Sequence, residues 1–132
     1  MYVLDTDHCV ELLRENRGVL TKLKSLDMDI EVYTTTITAA ELFYGAHRMS
    51  NPEQRLGEVN AFLNDIDIID LDLESAKIYG QLKAELSRKG ELLADNDLFI
   101  ASIALSRSLT LVTHNTRHYA RIPDLCLEDW LE

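Results

Sequence analysis

Tyr2-Val3-Leu4-Asp5 is a short apolar run with strand character, closed by a carboxylate. A second such run, Leu109-Thr110-Leu111-Val112-Thr113, comes shortly before Asn115. Between the two, helical spacings alternate with further β-rich runs. Strands alternating with helices imply parallel βαβ units, with helices covering both faces of the sheet. The expected fold is α/β: a three-layer α/β/α domain with a central, mostly parallel sheet of roughly four or five strands.

The intervening segments fill in this frame. Cys9, Leu12 and Leu13 recur at helical spacing after Asp5, in a helix ending near Asn16 and Gly18; Leu20, Leu23 and Leu26 suggest a second short helix. Glu31 to Thr36 is β-rich and reads as a strand, and Thr38-Ala39-Ala40-Glu41 opens a helix through about Arg48. Pro52 suits the first helical position of a segment running to Leu63. Ile66 to Leu71 alternates as a strand, and Asp72 caps a long helix whose apolar face is Ala76, Tyr79, Leu82 and Leu86, stopped at Lys89-Gly90. Asp95 begins an almost wholly apolar helix, residues 98 to 105, which must be largely buried; Leu125 to Leu127 reads as a last edge strand. No repeat, linker or low-complexity tract divides the chain, so residues 1–132 are expected to form one domain.

Composition narrows the class. With 46% hydrophobic and 27% charged residues the chain is that of an ordinary globular protein rather than a disordered one. No apolar stretch approaches the roughly 20 residues needed to cross a bilayer, and the N-terminus has no secretory pattern, so no membrane association and a cytoplasmic location are expected. Cys9 and Cys126 stand alone and read as reduced, and the four histidines (His8, His47, His114, His118) lack zinc-ligand spacing. The net charge of -10 opposes nucleic-acid binding, since phosphate contacts dominate that affinity. Two basic groupings work the other way: Arg14, Arg17, Lys22 and Lys24, then Lys83, Arg88 and Lys89.

In an open parallel sheet the carboxyl ends of the strands gather around one crevice, where ligands bind. Asp5, Glu41, Asp97 and Asn115 all fall where strands give way to helices or loops. Each acid has a structural account: Glu41 closes a capping box with Thr38, Asp95 is an N-cap, and Asp97 sits where the helix dipole favours it. Those accounts do not explain why Asp5 and Asp97 should converge. Carboxylates collected in one crevice repel and resist ionisation unless a cation compensates, and a hard, oxygen-ligated ion such as Mg2+ is the natural choice. The supporting residues are Thr6, Asp95, Thr113 and Asn115.

Leu4-Asp5-Thr6-Asp7, Thr38-Ala39-Ala40-Glu41-Leu42-Phe43-Tyr44-Gly45 and Asn96-Asp97-Leu98-Phe99-Ile100-Ala101 resemble the PIN-domain ribonucleases of the VapC toxin family. Leu111-Val112-Thr113-His114-Asn115-Thr116, with Leu125, Glu128 and Trp130, continues the resemblance to the C-terminus. It implies an endoribonuclease that hydrolyses RNA phosphodiesters with water. It further implies Mg2+, with Mn2+ able to substitute, held chiefly by Asp5 and Asp97, with Glu41 as third carboxylate. The fourth position, often Asp in PIN domains, is Asn115 here, which adds no charge; His118 precedes the aromatic Tyr119 where an acid is common. The resemblance also implies a small cognate antitoxin and a homodimer, for which Leu42, Phe43, Leu56, Val59, Phe62 and Leu63 offer an apolar face.

Three other readings compete. Asp5-Thr6-Asp7 satisfies the bare DxD of a haloacid-dehalogenase-like phosphatase, which expects a downstream lysine and a closing acidic pair. A receiver domain needs a phospho-acceptor, for which Asp70 is available, and a lysine after its last strand, yet no lysine follows Lys89. A catalytically silent PIN-like or receiver-like interaction module is the third.

Overall fold

A computed structural model describes residues 1–131. Among them the chain runs β1 (Tyr2–Leu4), α1 (Thr6–Leu13), α2 (Arg17–Ser25), β2 (Val32–Thr35), α3 (Thr36–His47), α4 (Pro52–Asn64), β3 (Asp67–Ile69), α5 (Leu73–Lys89), α6 (Asp95–Ser106), β4 (Thr110–Val112), α7 (Thr116–Tyr119) and β5 (Leu127–Glu128). The strands form one sheet in the order β3-β2-β1-β4-β5, and every pairing is parallel. Successive strand residues face opposite sides, and the core divides accordingly. Val3 and Leu111 point into one cluster with Leu82, Leu86, Leu98 and Ile103 of α5 and α6. Their neighbours Leu4 and Val112 point into the other, with Cys9, Val19, Leu42 and Val59 of α1 to α4. The three-layer α/β/α architecture is therefore as expected. Among the described residues no helix is long and apolar enough to cross a membrane.

Helix starts depart from expectation in informative ways. Thr35 is extended (φ -121°, ψ 160°) and its hydroxyl accepts the Thr38 N–H at 3.1 Å, so α3 begins at Thr36 rather than Thr38. The capping box between Thr38 and Glu41 does not form, because Thr35 already supplies the cap. Likewise α1 ends at Leu13, and Asn16 caps α2 by accepting from the Val19 N–H at 3.2 Å, so the second helix starts well before Leu20. At α6 the N-cap is Ala94, which offers no side-chain oxygen, and Asp95 is the first helical residue. Two expectations hold closely. Asp72 caps α5 through the Ser75 N–H at 2.9 Å, and Gly90 ends it in the left-handed region (φ 69°) that glycine enters without steric cost. The last strand pairs at Leu127–Glu128 rather than Leu125 to Leu127, and α7 had no periodicity by which to foresee it.

Candidate active site

β1 and β4 are neighbours, with Leu4 level with Val112, so the chain leaves both strands at one edge and places Asp5 beside Thr113. The Asp5 N–H extends the ladder to the Val112 carbonyl (2.9 Å). Its Oδ1 accepts the Thr6 N–H and its Oδ2 the Thr113 hydroxyl, both at 2.8 Å. Only 6% of Asp5 is exposed. Burial, and next the charge of Asp7, push its carboxyl up to about 6 against the opposing pull of the Thr113 and Thr6 hydrogen bonds; Asp97 adds to the rise. Asp97, half-buried in the first turn of α6, is raised chiefly by burial, with Glu41 and Asp7 adding repulsion while the Tyr119 hydroxyl and His118 oppose it.

Glu41 joins from α3. Its Oε1 accepts the Thr6 hydroxyl at 2.7 Å, and that hydroxyl lies 3.1 Å from the Thr38 hydroxyl. Thr6 thus ties the start of α1 to α3, which explains why Glu41 is not curled back onto its own helix. Asp97 lies within electrostatic reach of both Asp5 and Glu41. Asp95 does not join them. Its carboxylate accepts from the Tyr79 hydroxyl (2.7 Å) and from Lys83 Nζ (2.8 Å), both on α5, and it is exposed. The Asn115 amide oxygen is likewise engaged, with His118 Nδ1 at 2.6 Å, while its N–H donates to Thr113 Oγ1 at 3.0 Å.

Asp7 stood in the sequence only as the second acid of the phosphatase-like DxD and was assigned no part in the metal site. Its Oδ1 lies 2.8 Å from His8 Nδ1, and its Oδ2 accepts the His114 N–H at 2.9 Å and lies 3.3 Å from Thr113 Oγ1. Burial alone would raise this carboxyl, but the His8 and His114 hydrogen bonds outweigh it and hold it below the usual range. Tyr119 was also missed. Its fully buried hydroxyl faces the Asp5 and Asp97 carboxylates without reaching good hydrogen-bond geometry to either, and its pKa is raised by burial, then by their charges and by their pull on its proton.

This chemistry suits a hard cation. Asp5, buried, and Asp97, half-buried, resist ionisation, Asp7 beside them is held below the usual carboxylate range, and the buried Tyr119 hydroxyl faces the pair. Among the described residues, no three His, Cys, Asp or Glu side chains already converge as a closed ligand cage. Mg2+ needs none, since it is commonly held by one or two carboxylates plus water and substrate oxygens.

The PIN domain family model matches residues 2–125. "Ribonuclease VapC2" of Rickettsia felis is 36% identical over 131 residues, covering 98% of each chain. The chain belongs to the VapC family of PIN-domain ribonucleases. A second VapC relative, the "tRNA(fMet)-specific endonuclease VapC" of Salmonella typhimurium, is 35% identical over 129 residues, 98% of this chain and 97% of that one. In the crystal structure of VapBC2 from Rickettsia felis bound to a promoter DNA fragment, one chain superposes with a TM-score of 0.92 at 35% identity, covering 98% of both. Sheet order agrees with VapC membership and removes the receiver reading, whose strands run 2-1-3-4-5 rather than 3-2-1-4-5. The match of the PIN domain model to residues 2–125 displaces the phosphatase reading as well.

Proposed function

We propose that this VapC-family chain is a Mg2+-dependent endoribonuclease, with Mn2+ able to substitute, and the toxin half of a toxin–antitoxin pair. The observation that carries the reading is the Asp5–Asp97 pair: two carboxyls raised by burial and like charge at the carboxyl edge of a parallel sheet, where a cation would relieve them. Asp5 and Asp97 would hold the metal. When bound, Mg2+ supplies a Lewis acid that neutralises phosphate charge and acidifies water.

The chain's own groups do the rest. Thr6 and Thr113 each occupy one lone pair of Asp5, fixing its plane and leaving both oxygens able to accept again. Glu41, oriented by Thr6 at Oε1, takes the proton of the attacking water at Oε2. Asp7 keeps a permanent charge beside the pair. The water oxygen bonds to phosphorus and the bond to the leaving ribose oxygen breaks, that oxygen taking a proton from solvent water while Glu41 later returns its own to solvent, so one new end carries phosphate and the other a hydroxyl. Among the described residues no Ser-His-Asp or Cys-His arrangement competes, and burial pushes the Cys9 thiol up to about 12, which leaves it inert.

A partner is supported by the cleft of about 240 Å³ that borders the site at Thr6 and Glu41 and continues over Val10, Leu13, Met49 and Arg48. An antitoxin segment seated there would reach the carboxylates with an arginine. The direct test is cleavage of defined RNAs by purified protein, starting with tRNA(fMet), for which the Salmonella relative is named. Cutting should require Mg2+ or Mn2+, stop with a chelator, and fall by at least about a hundredfold in Asp97→Asn. Unchanged cutting by a folded Asp97→Asn protein would refute the reading.

A further inference from the structure

His8 is fully buried at the start of α1, next to the site but outside the proposed chemistry. Its Nε2 accepts the Trp130 backbone N–H at 3.0 Å. That donor occupies the Nε2 lone pair, so the ring proton sits on Nδ1, from where it donates to Asp7 Oδ1 at 2.8 Å. Asp129 is the neighbouring anchor. Its Oδ2 lies 2.8 Å from His114 Nδ1, and its Oδ1 accepts the Leu131 N–H at 2.9 Å. The His114 N–H in turn donates to Asp7 Oδ2 at 2.9 Å. Both oxygens of Asp7 are therefore held by groups that lean on the C-terminal segment, one through His8 and one through His114. Trp130 seats that segment, edge-on to Tyr2 (centroids 5.2 Å apart) and to His8 (6.2 Å), with only 6% of the residue exposed.

A histidine that only filled space would not need one donor and one acceptor at opposite ends, each matched to a different segment. We infer that His8 is a positioning residue: as the Nδ1–H tautomer it couples docking of Asp129 and Trp130 to the orientation of Asp7, so that the C-terminal segment tunes cation binding at Asp5 and Asp97. The inference rests on the proposed reading of those two residues as the cation site. Partners of this kind commonly change metal affinity by about tenfold to a hundredfold when removed.

Two substitutions separate the two ends of the ring. His8→Asn keeps a donor near Nδ1 and loses the distant acceptor; His8→Gln can place an acceptor near Nε2 and loses the donor to Asp7. Trp130 is the only tryptophan, so its emission reports docking of the segment directly. Mg2+ and Mn2+ affinities are measured by calorimetry on the full-length protein without RNA. His8→Gln should keep wild-type Trp130 emission and lose about tenfold in cation affinity. His8→Asn should shift the emission to the red, with a smaller loss of affinity. Because His8 acts through Asp7, His8→Gln should cost nothing further in an Asp7→Asn background, a non-additivity that a purely structural role does not produce. If either histidine variant fails to fold, Asp129→Ala, which removes the Asp129 contact to His114 Nδ1, replaces it and should weaken cation binding with Asp7 intact but not in the Asp7→Asn background. Folded variants with wild-type affinity, or losses that simply add to that of Asp7→Asn, overturn the inference. A wild-type protein that binds neither cation overturns the underlying site reading instead.

Discussion

Tyr119 carries a hydroxyl into the protein interior and gives it no hydrogen bond among the described residues, next to two carboxyls that burial has already made hard to ionise. An unpaired buried hydroxyl costs about 1–3 kcal/mol, so removing it should not hurt the metal-free fold. Tyr119→Phe is expected to unfold at an equal or higher temperature than wild type without divalent ions; a clear loss of stability would mean the hydroxyl is already satisfied. Asp5 gives a related prediction in pH. Its folded carboxyl sits at about 6 against an unfolded value of 3.8, so between these the native state binds the extra proton. Stability must then fall as pH rises through this window, on the order of 3 kcal/mol in total for the metal-free protein. Asp97 shifts the same way, while the lowered Asp7 contributes stability that is lost only at more acidic pH. Denaturant melts from about pH 3.5 to about 7.5, a range that brackets that window, should show the decline, and Asp5→Asn or saturating Mg2+ should flatten it. A stability that is level or rising over that range in the metal-free wild type would remove the electrostatic basis of the site.

Helix α6 shows how far a first turn can be left to the dipole. Asp95 and Asp97 both favour its N-terminus electrostatically, yet the cap position is Ala94, extended and exposed, with no oxygen to offer the free N–H groups. Ala94→Ser should therefore raise stability by about 1 kcal/mol in equilibrium unfolding, and no gain would mean those N–H groups are already satisfied. The same helix marks what the sequence could and could not convey. Strand and helix order were legible because apolar runs and 3.6-residue spacings carry them. The start of α3 was not, because Thr34, Thr35 and Thr36 read equally as strand or cap; α6 does begin at Asp95 as read, but Asp95 does not cap it, since Lys83 and Tyr79, distant in sequence, draw its carboxylate toward α5. Asp5 was legible as a carboxylate at a strand end, whereas Glu41 lies within α3 and Asp97 in the first turn of α6. The role of Asp7 was not, since it depends on a hydrogen bond from His114, 107 residues away, that exists only because β1 and β4 are neighbours. Tyr119 reads as a core aromatic in any sequence, and only packing turns its hydroxyl toward the acids.

The apolar residues of α3 and α4 that suggested a dimer face mostly serve the core: Leu42 and Val59 are buried, and Phe43, Leu56, Phe62 and Leu63 are partly buried against the same cluster. Their remaining exposure, with Met49 and Tyr44 beside them, still favours the proposed self-association, and sedimentation at micromolar concentration should give about twice the 15.1 kDa chain mass. The larger consequence concerns charge. A protein of net charge -10 repels RNA at long range but attracts a basic partner, so a cationic antitoxin would hold an advantage over substrate before any specific contact forms. At the site the competition becomes local. An arginine pairing with Asp5 and Asp97 takes the oxygens that Mg2+ would use, and each excludes the other by charge. Inhibition by the partner should then weaken as Mg2+ is raised at constant ionic strength, measured as an increase in the apparent Kd of the complex. Expression of the chain alone should arrest growth, Asp97→Asn should relieve the arrest, and co-expression of the neighbouring small reading frame should restore growth to the wild-type protein. Active nuclease that is harmless without a partner would remove the toxin role and leave the nuclease standing. Inhibition indifferent to Mg2+ would instead place the partner on the cleft over Val10 and Leu13, closing the entrance without touching the carboxylates.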